Sequence, residues 1–247
     1  MTTPFVPDIA IINASTVVTD ADAQAMMAAV QTQVTRDFGP AWRTNANLHL
    51  VPHGAKPPKA MWWIALLDNA DQAGALGYHD ITAQGLPLGK VFAKTSIQFG
   101  EPVSVVLSHE VLEMLADPWI NMCAQGDGEV FYAREVCDPV EADQYEINGE
   151  LVSNFVLGAY FHLLPHVAPF DWMARLQGPM PTMTQGGYIL VYHPGIGWTQ
   201  MFGASLEGAL TPTGVADRWR HRPHPGSRRE RRRVPRYEWV RSAVETD

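Results

Sequence analysis

Cysteine is nearly absent. Only Cys123 and Cys137 occur in 247 residues, with no C-x-x-C pair. Neither a disulfide framework nor a zinc–thiolate centre is expected, and both are read as ordinary buried thiols. Long apolar runs are missing too. None approaches the roughly 20 residues that a bilayer-spanning helix needs, which argues against a membrane protein. The first residues, Met1-Thr-Thr-Pro-Phe-Val-Pro-Asp8, lack both a basic stretch and a continuous apolar one. They do not read as a secretory signal, and a cytoplasmic location is the expectation. No internal repeat is seen. What is present is a globular composition, with 46% hydrophobic and 10% aromatic residues, unlike that of a disordered chain.

The net charge of −8 hides a split. Residues 218–247 hold ten arginines against four acids, whereas residues 1–217 hold eight basic residues against 22 acidic ones. An acidic body followed by a basic tail marks a boundary near Asp217. The tail, with Arg228-Arg-Glu-Arg-Arg-Arg233, is poor in apolar residues and is expected to be unfolded. Phosphate neutralisation by these arginines would suit a nucleic acid. Aromatic residues follow the run only at Tyr237 and Trp239, and the body is acidic. A solvated tail is therefore preferred over a nucleic-acid interface.

Residues 8–13, Asp-Ile-Ala-Ile-Ile-Asn, form a short apolar run that predicts a strand. Thr19-Asp-Ala-Asp22 supplies N-cap and first-turn residues for a helix over 23–38, with Met26, Met27, Val30 and Val34 on a helical period. Gly39-Pro40 is expected to stop it. Asn47 to Val51 and Met61 to Leu67 read as the next strands, with Trp62-Trp63 in the core. Residues 74–89 read as a loop containing Gly77-Tyr-His-Asp80, in which His79 holds the loop. Lys90 to Lys94, flanked by lysines, reads as an edge strand. A helix then starts at Gly100-Glu-Pro-Val103 and ends at Pro118. Asn148-Gly149 predicts one hairpin, within 144–152, and 187–202 reads as another. The expected domains are 1–138 for a metal site, 139–217 as a hairpin-rich part on the same core, and the tail 218–247.

The helix with Ser108-His-Glu-Val-Leu-Glu113 carries the chemistry. His109 and Glu113 are four apart, so they share one face a turn apart. Glu110 lies about 100° round from His109. Two ligands one turn apart, with a carboxylate beside them, is what a hydrolytic metal site requires: the pair holds the cation and Glu110 serves as general base. A chance H-E-x-x-E is expected about 0.02 times at this composition, which makes the pattern worth following against the plainer alternative of a solvated polar face. The apolar neighbours decide between them. Val105, Val106, Leu107, Val111, Leu112, Met114 and Leu115 imply a buried helix, and buried charge must be paired or bound to metal. Downstream, Arg134-Glu-Val-Cys-Asp-Pro139 offers Glu135 and Asp138 as a third ligand or as groups that orient His109. Asp117 more naturally ends the helix before Pro118. His162 and His166 are separated by Pro165 and are not a metal pair. Met180 and Met183 are core or loop methionines before they are a turn beneath a metal.

On these residues, from Asp8 to Asp138, the chain resembles the zincin metallopeptidases. The string S-H-E-V-L-E-M-L-A-D-P, with E-V-C-D-P later, is also similar to a group of uncharacterised bacterial and phage proteins. The zincin resemblance implies an α/β (α+β) fold: a twisted mixed sheet with an antiparallel edge strand, packed on the active-site helix. It implies a zinc-dependent hydrolase acting on a peptide or protein, with an extended substrate pairing along Lys90 to Lys94. It places a third ligand some tens of positions beyond the motif, where Glu135 and Asp138 stand. Glu113 departs from the second histidine of H-E-x-x-H. One histidine with two carboxylates makes a formally neutral shell, weakens Lewis acidity and makes manganese or iron plausible beside zinc. A non-catalytic zincin-like protein, for example one associated with a phage particle, is the alternative.

Overall fold

The computed structural model describes residues 5–72, 75–82, 84–162, 167–203 and the backbone of 233–234. The protein is a mixed α+β structure in two compact units. The first unit comprises 1–119, 145–152 and 232–247; the second comprises 120–144 and 153–231.

The first unit is built on a mixed sheet. Strand β1 (Asp8–Asn13) pairs in parallel with both β2 (Asn47–Val51) and β3 (Trp62–Leu67). These strands lie where the apolar runs predict them. Both faces of β1 are buried, so its side chains need not alternate. Ala10 and Ile12 join Val51, Trp63 and Ala65 in one core cluster. Trp63 also donates its indole N–H to Pro58 O at 2.7 Å, which satisfies its polar end.

Helix α1 (Asp20–Gln33) begins at a capping box. Thr19 Oγ1 accepts from Asp22 N at 3.1 Å, and Asp22 Oδ2 accepts from Thr19 N at 3.2 Å. Gly39-Pro40 does not stop the helical path as expected. The chain continues as a π-turn, Val34–Phe38, and a short α2 (Gly39–Trp42). The π register lets Gly39 N–H bond Val34 O, and the following proline sits in a first turn, where its missing N–H is tolerated. A Cβ on Gly39 would lie 2.6 Å from Val34 O, so the register needs a glycine there.

The expected loop at 74–89 and the edge strand at 90–94 are both corrected. Residues 77–82 form β4 (Gly77–Thr82), antiparallel to β5 (Pro87–Phe92), which pairs in parallel with β3. Ala93–Gln98 is a short helix, α3. Lys90 is thus in an interior strand between β3 and β4, with neither edge open to a substrate. The lysine misleads because it is buried in a paired state. Its Nζ bonds Asp71 Oδ2 and lies 5.2 Å from the centre of the Tyr78 ring, a cation–π contact. The two residues of β12 (Arg233–Val234) pair in parallel with β4, giving the order β12-β4-β5-β3-β1-β2. The rest of the basic tail, Tyr237, Trp239 and His166 lie outside the described residues.

Helix α4 (Val103–Ala116), the motif helix, packs on β4 and β5 and touches α1. Pro102 precedes it and Asp117 follows as its C-cap residue. Gly89 opens room for it in β5. A Cβ there would meet Ile64 Cγ1 at 3.1 Å and Met114 Cε at 3.4 Å.

In the second unit, β6 (Cys123–Gln125), β7 (Phe131–Ala133), β10 (Tyr188–His193) and β11 (Gly197–Phe202) form an antiparallel sheet in the order β11-β10-β7-β6. Cys137 is buried as expected, but Cys123 is exposed. Strands β8 (Gln144–Ile147) and β9 (Glu150–Ser153), of which residues 145–152 belong to the first unit, form the other expected hairpin. Asn148 and Gly149 both take positive φ at its turn, 54° and 87°, as a two-residue loop of this kind demands. Among the described residues, no helix is long and apolar enough to cross a membrane.

Candidate metal centre

Helix α4 brings three ionisable side chains to the sheet. Glu110 and Glu113 are buried, whereas the His109 side chain keeps 12% of its surface. The helical period performs the predicted pairing: His109 Nε2 lies 3.3 Å from Glu113 Oε1.

A fourth group, His79 of β4, joins them. Its Nδ1 is 3.5 Å from Glu113 Oε2 and 3.8 Å from Glu110 Oε2. Its residue is only 2% exposed. The antiparallel register sets His79 opposite Gly89 of β5, and Gly89 faces Met114 of α4. His79 therefore stands on the helix-covered side of the sheet. Gly77, two residues earlier and on the same side, allows the close approach. A Cβ on it would sit 2.7 Å from Glu110 Oε1, 2.8 Å from Val106 Cγ1 and 2.9 Å from Lys90 O. Sequence reasoning missed His79 by taking its segment for a loop. The available signal was the six-residue run between Leu76 and Ala83, ending in Ile81 and Thr82.

Glu113 consequently has one imidazole at each oxygen. Burial pushes its carboxyl up, but the charge and hydrogen bonding of His109 and His79 outweigh that and hold it well below the ordinary carboxylate range.

These donors fit a divalent cation. His79, Glu110 and Glu113 each offer one ligand atom, all within 4.8 Å of one another. In a tetrahedral shell with bonds near 2.1 Å, neighbouring donors stand about 3.4 Å apart. His79 Nδ1 stands 3.5 Å from Glu113 Oε2 and 3.8 Å from Glu110 Oε2, close to that spacing. Mixed imidazole and carboxylate donors suit zinc, and the oxygen content admits manganese or iron.

The helix is fixed from its other side. Ser108 Oγ donates to Gln33 Oε1 at 2.7 Å, Gln33 Nε2 donates to Tyr145 Oη at 3.1 Å, and Tyr145 donates to Asp37 Oδ2 at 2.9 Å. Asp37 also accepts from Arg36 Nε and Nη2 at 2.6 and 2.8 Å. Gln33 and Asp37 come from the end of α1 and its π-turn, so that irregular segment is tied directly to the residue preceding His109.

The remaining expected residues are distributed as follows. Glu135 and Asp138 belong to the second unit and are buried there, Glu135 after β7 and Asp138 opening a 3-10 turn, Asp138–Val140. A Cβ on Gly187 would fall 2.3 Å from Pro139 O, so β10 is preceded by a glycine that packs directly on this turn. Asp117 is buried at the end of α4. His162 has a positive φ of 59°, which ends any helical path there. Met180 is buried in the second unit. Trp62 packs in the first unit against Trp119 and Phe5, with ring centroids at 6.4 and 6.2 Å. No family model, no curated protein and no solved structure matches the chain.

Proposed function

We propose that the chain is a metal-dependent hydrolase with a zincin-like site, acting on peptide bonds of a protein or peptide. The observation that carries the proposal is the carboxylate of Glu113, buried between two imidazoles and beside a second buried carboxylate. Two buried carboxylates on an otherwise apolar helix are expensive without a compensating cation or proton. The sheet beneath the motif helix is mixed, with β4 antiparallel to β5 and α4 packed on both.

In this proposal His109 and Glu113 hold the cation. His109 is the more open of the two histidines, and a catalytic site must keep one position for water. A bound zinc, manganese or iron ion supplies Lewis acidity and a more acidic water. Glu110 accepts a proton at its carboxylate and returns it to the leaving amine.

Elemental analysis of the full chain, purified without chelators, tests this. One divalent ion per chain is expected. Glu113→Ala should lose it, whereas Glu110→Gln should keep the ion and lose cleavage of a fluorogenic peptide library. A wild-type protein that is metal-free and takes up neither zinc nor manganese would sink the proposal.

The donor set His79, Glu110 and Glu113 favours a second reading, a closed metal site in a non-catalytic scaffold protein such as a phage component. All three are buried. Under it Glu110→Gln loses the ion.

A further inference from the structure

We infer that His79 is a positioning residue that aims the Glu113 carboxylate at the cation side and holds Glu110 beside it. This rests on the functional reading just given.

A carboxylate held at one oxygen can still turn about its last bond, whereas contacts at both oxygens fix its plane. Glu113 Oε2 is engaged by His79 Nδ1 at 3.5 Å, which leaves Oε1 directed to His109 Nε2 at 3.3 Å. The same Nδ1 lies 3.8 Å from Glu110 Oε2. One imidazole thus contacts the ligand carboxylate and the carboxylate proposed as base. Ligating carboxylates need such outer contacts to fix their geometry.

The imidazole is itself fixed. Strand β4 is paired to β5 from Gly77 to Ile81. At Gly77 the strand backbone rests against Glu110 and Val106 with no room for a Cβ. The backbone that carries His79 is therefore held in place against α4.

The test is zinc affinity of the full chain, by competition with a chromogenic chelator, together with the visible spectrum of the cobalt-loaded protein. His79→Ala should still bind one ion, about 10–100-fold more weakly, with a shifted cobalt band. His79→Asn should recover much of the affinity, because its amide nitrogen falls where Nδ1 stands; His79→Gln, one methylene longer, should not. Circular dichroism of the metal-free proteins checks folding, and His79→Asn keeps the test open if the alanine variant does not fold. Wild-type affinity and an unchanged cobalt band in folded His79→Ala would overturn the inference alone. Complete loss of the ion from a folded variant would overturn it too, by making His79 a ligand. Failure of the wild-type chain to bind zinc or cobalt would overturn the functional reading and this inference together.

Discussion

Replacing Gly77 by alanine separates two opposite expectations. The Gly77 backbone lies outside the positive-φ region. With space around it, Gly77→Ala would stabilise the protein by about 0.4–1 kcal/mol, by restricting the unfolded chain. The space is not there. The new Cβ would lie 2.7 Å from Glu110 Oε1, 2.8 Å from Val106 Cγ1 and 2.9 Å from the Lys90 carbonyl oxygen. Glu110 can rotate, but the Lys90 carbonyl belongs to the paired strand β5 and Val106 belongs to α4. Helix and strand must separate by several tenths of an ångström. Overpacking of this kind costs about 1–3 kcal/mol, which for a chain of this size lowers the melting temperature by about 2–12 °C. Gly89→Ala is the control. Its Cβ would meet only side-chain atoms, none nearer than 3.1 Å (Ile64 Cγ1, with Met114 Cε at 3.4 Å), and no backbone atom, so a shift of a few tenths of an ångström accommodates it. Urea denaturation of both variants, followed by circular dichroism, should give a clearly larger loss for Gly77→Ala. On the proposed metal-site reading, zinc affinity should fall with it, because Glu110 and β4 can no longer keep their places. A Gly77→Ala protein as stable as wild type, or more so, would refute the close approach of β4 to α4 on which the site geometry depends.

Two further perturbations probe the frame of the site. Ser108→Ala removes the buried hydrogen bond to Gln33 Oε1 and should cost about 0.5–1.5 kcal/mol in urea denaturation; an unchanged midpoint would discount the link between α4 and the π-turn. Asp68 accepts hydrogen bonds from Ser15 Oγ at 2.6 Å, Thr16 N at 2.8 Å and Thr16 Oγ1 at 2.5 Å. Burial raises its pKa, but the Ser15 and Thr16 bonds outweigh this and bring it below the usual 3.8. Its folded pKa is therefore depressed, so its stabilisation is present above the ordinary value and is lost as pH falls through the folded one. Asp68→Asn should melt below wild type at neutral pH, with the difference closing in the acid range; a gap that stayed constant down to pH 2 would contradict it.

Local signals were read where a single element decides them. The strands at 8–13, 47–51 and 62–67 follow from apolar runs bounded by turn residues, and the hairpin at Asn148-Gly149 follows from the φ its two residues tolerate. The pairing of His109 with Glu113 follows from helical spacing alone. Misreadings occurred where a tertiary partner overrode local chemistry. Lys90 reads as an edge-strand lysine because lysine is usually solvated, yet Asp71 and the Tyr78 ring supply it with a counter-charge and an aromatic face. Gly77 and Gly89 read as loop glycines, but each sits in a strand beneath α4, where it makes room for a neighbour. Gly39-Pro40 reads as a stop because an α register was assumed, whereas a π-turn changes which carbonyl is bonded.

The site itself repeats this pattern. The sequence shows that α4 places His109, Glu110 and Glu113 among Val105, Val106, Leu107, Val111, Leu112, Met114 and Leu115. Such a helix must find compensation for its ionisable groups. Which groups supply it depends on the strand opposite, and strand pairing is a long-range property that a window of residues does not contain. His79 meets the helix only because β4 turns back antiparallel on β5 and sets it across from Gly89. Had β4 paired one residue out of register, Tyr78 and Asp80 would face Glu113 in its place. A phenol and a third carboxylate there would give the helix a different balance of charge. The register of one strand therefore decides whether Glu113 is an anion held between two imidazoles or an acid forced toward its neutral form. A cation site needs the first arrangement.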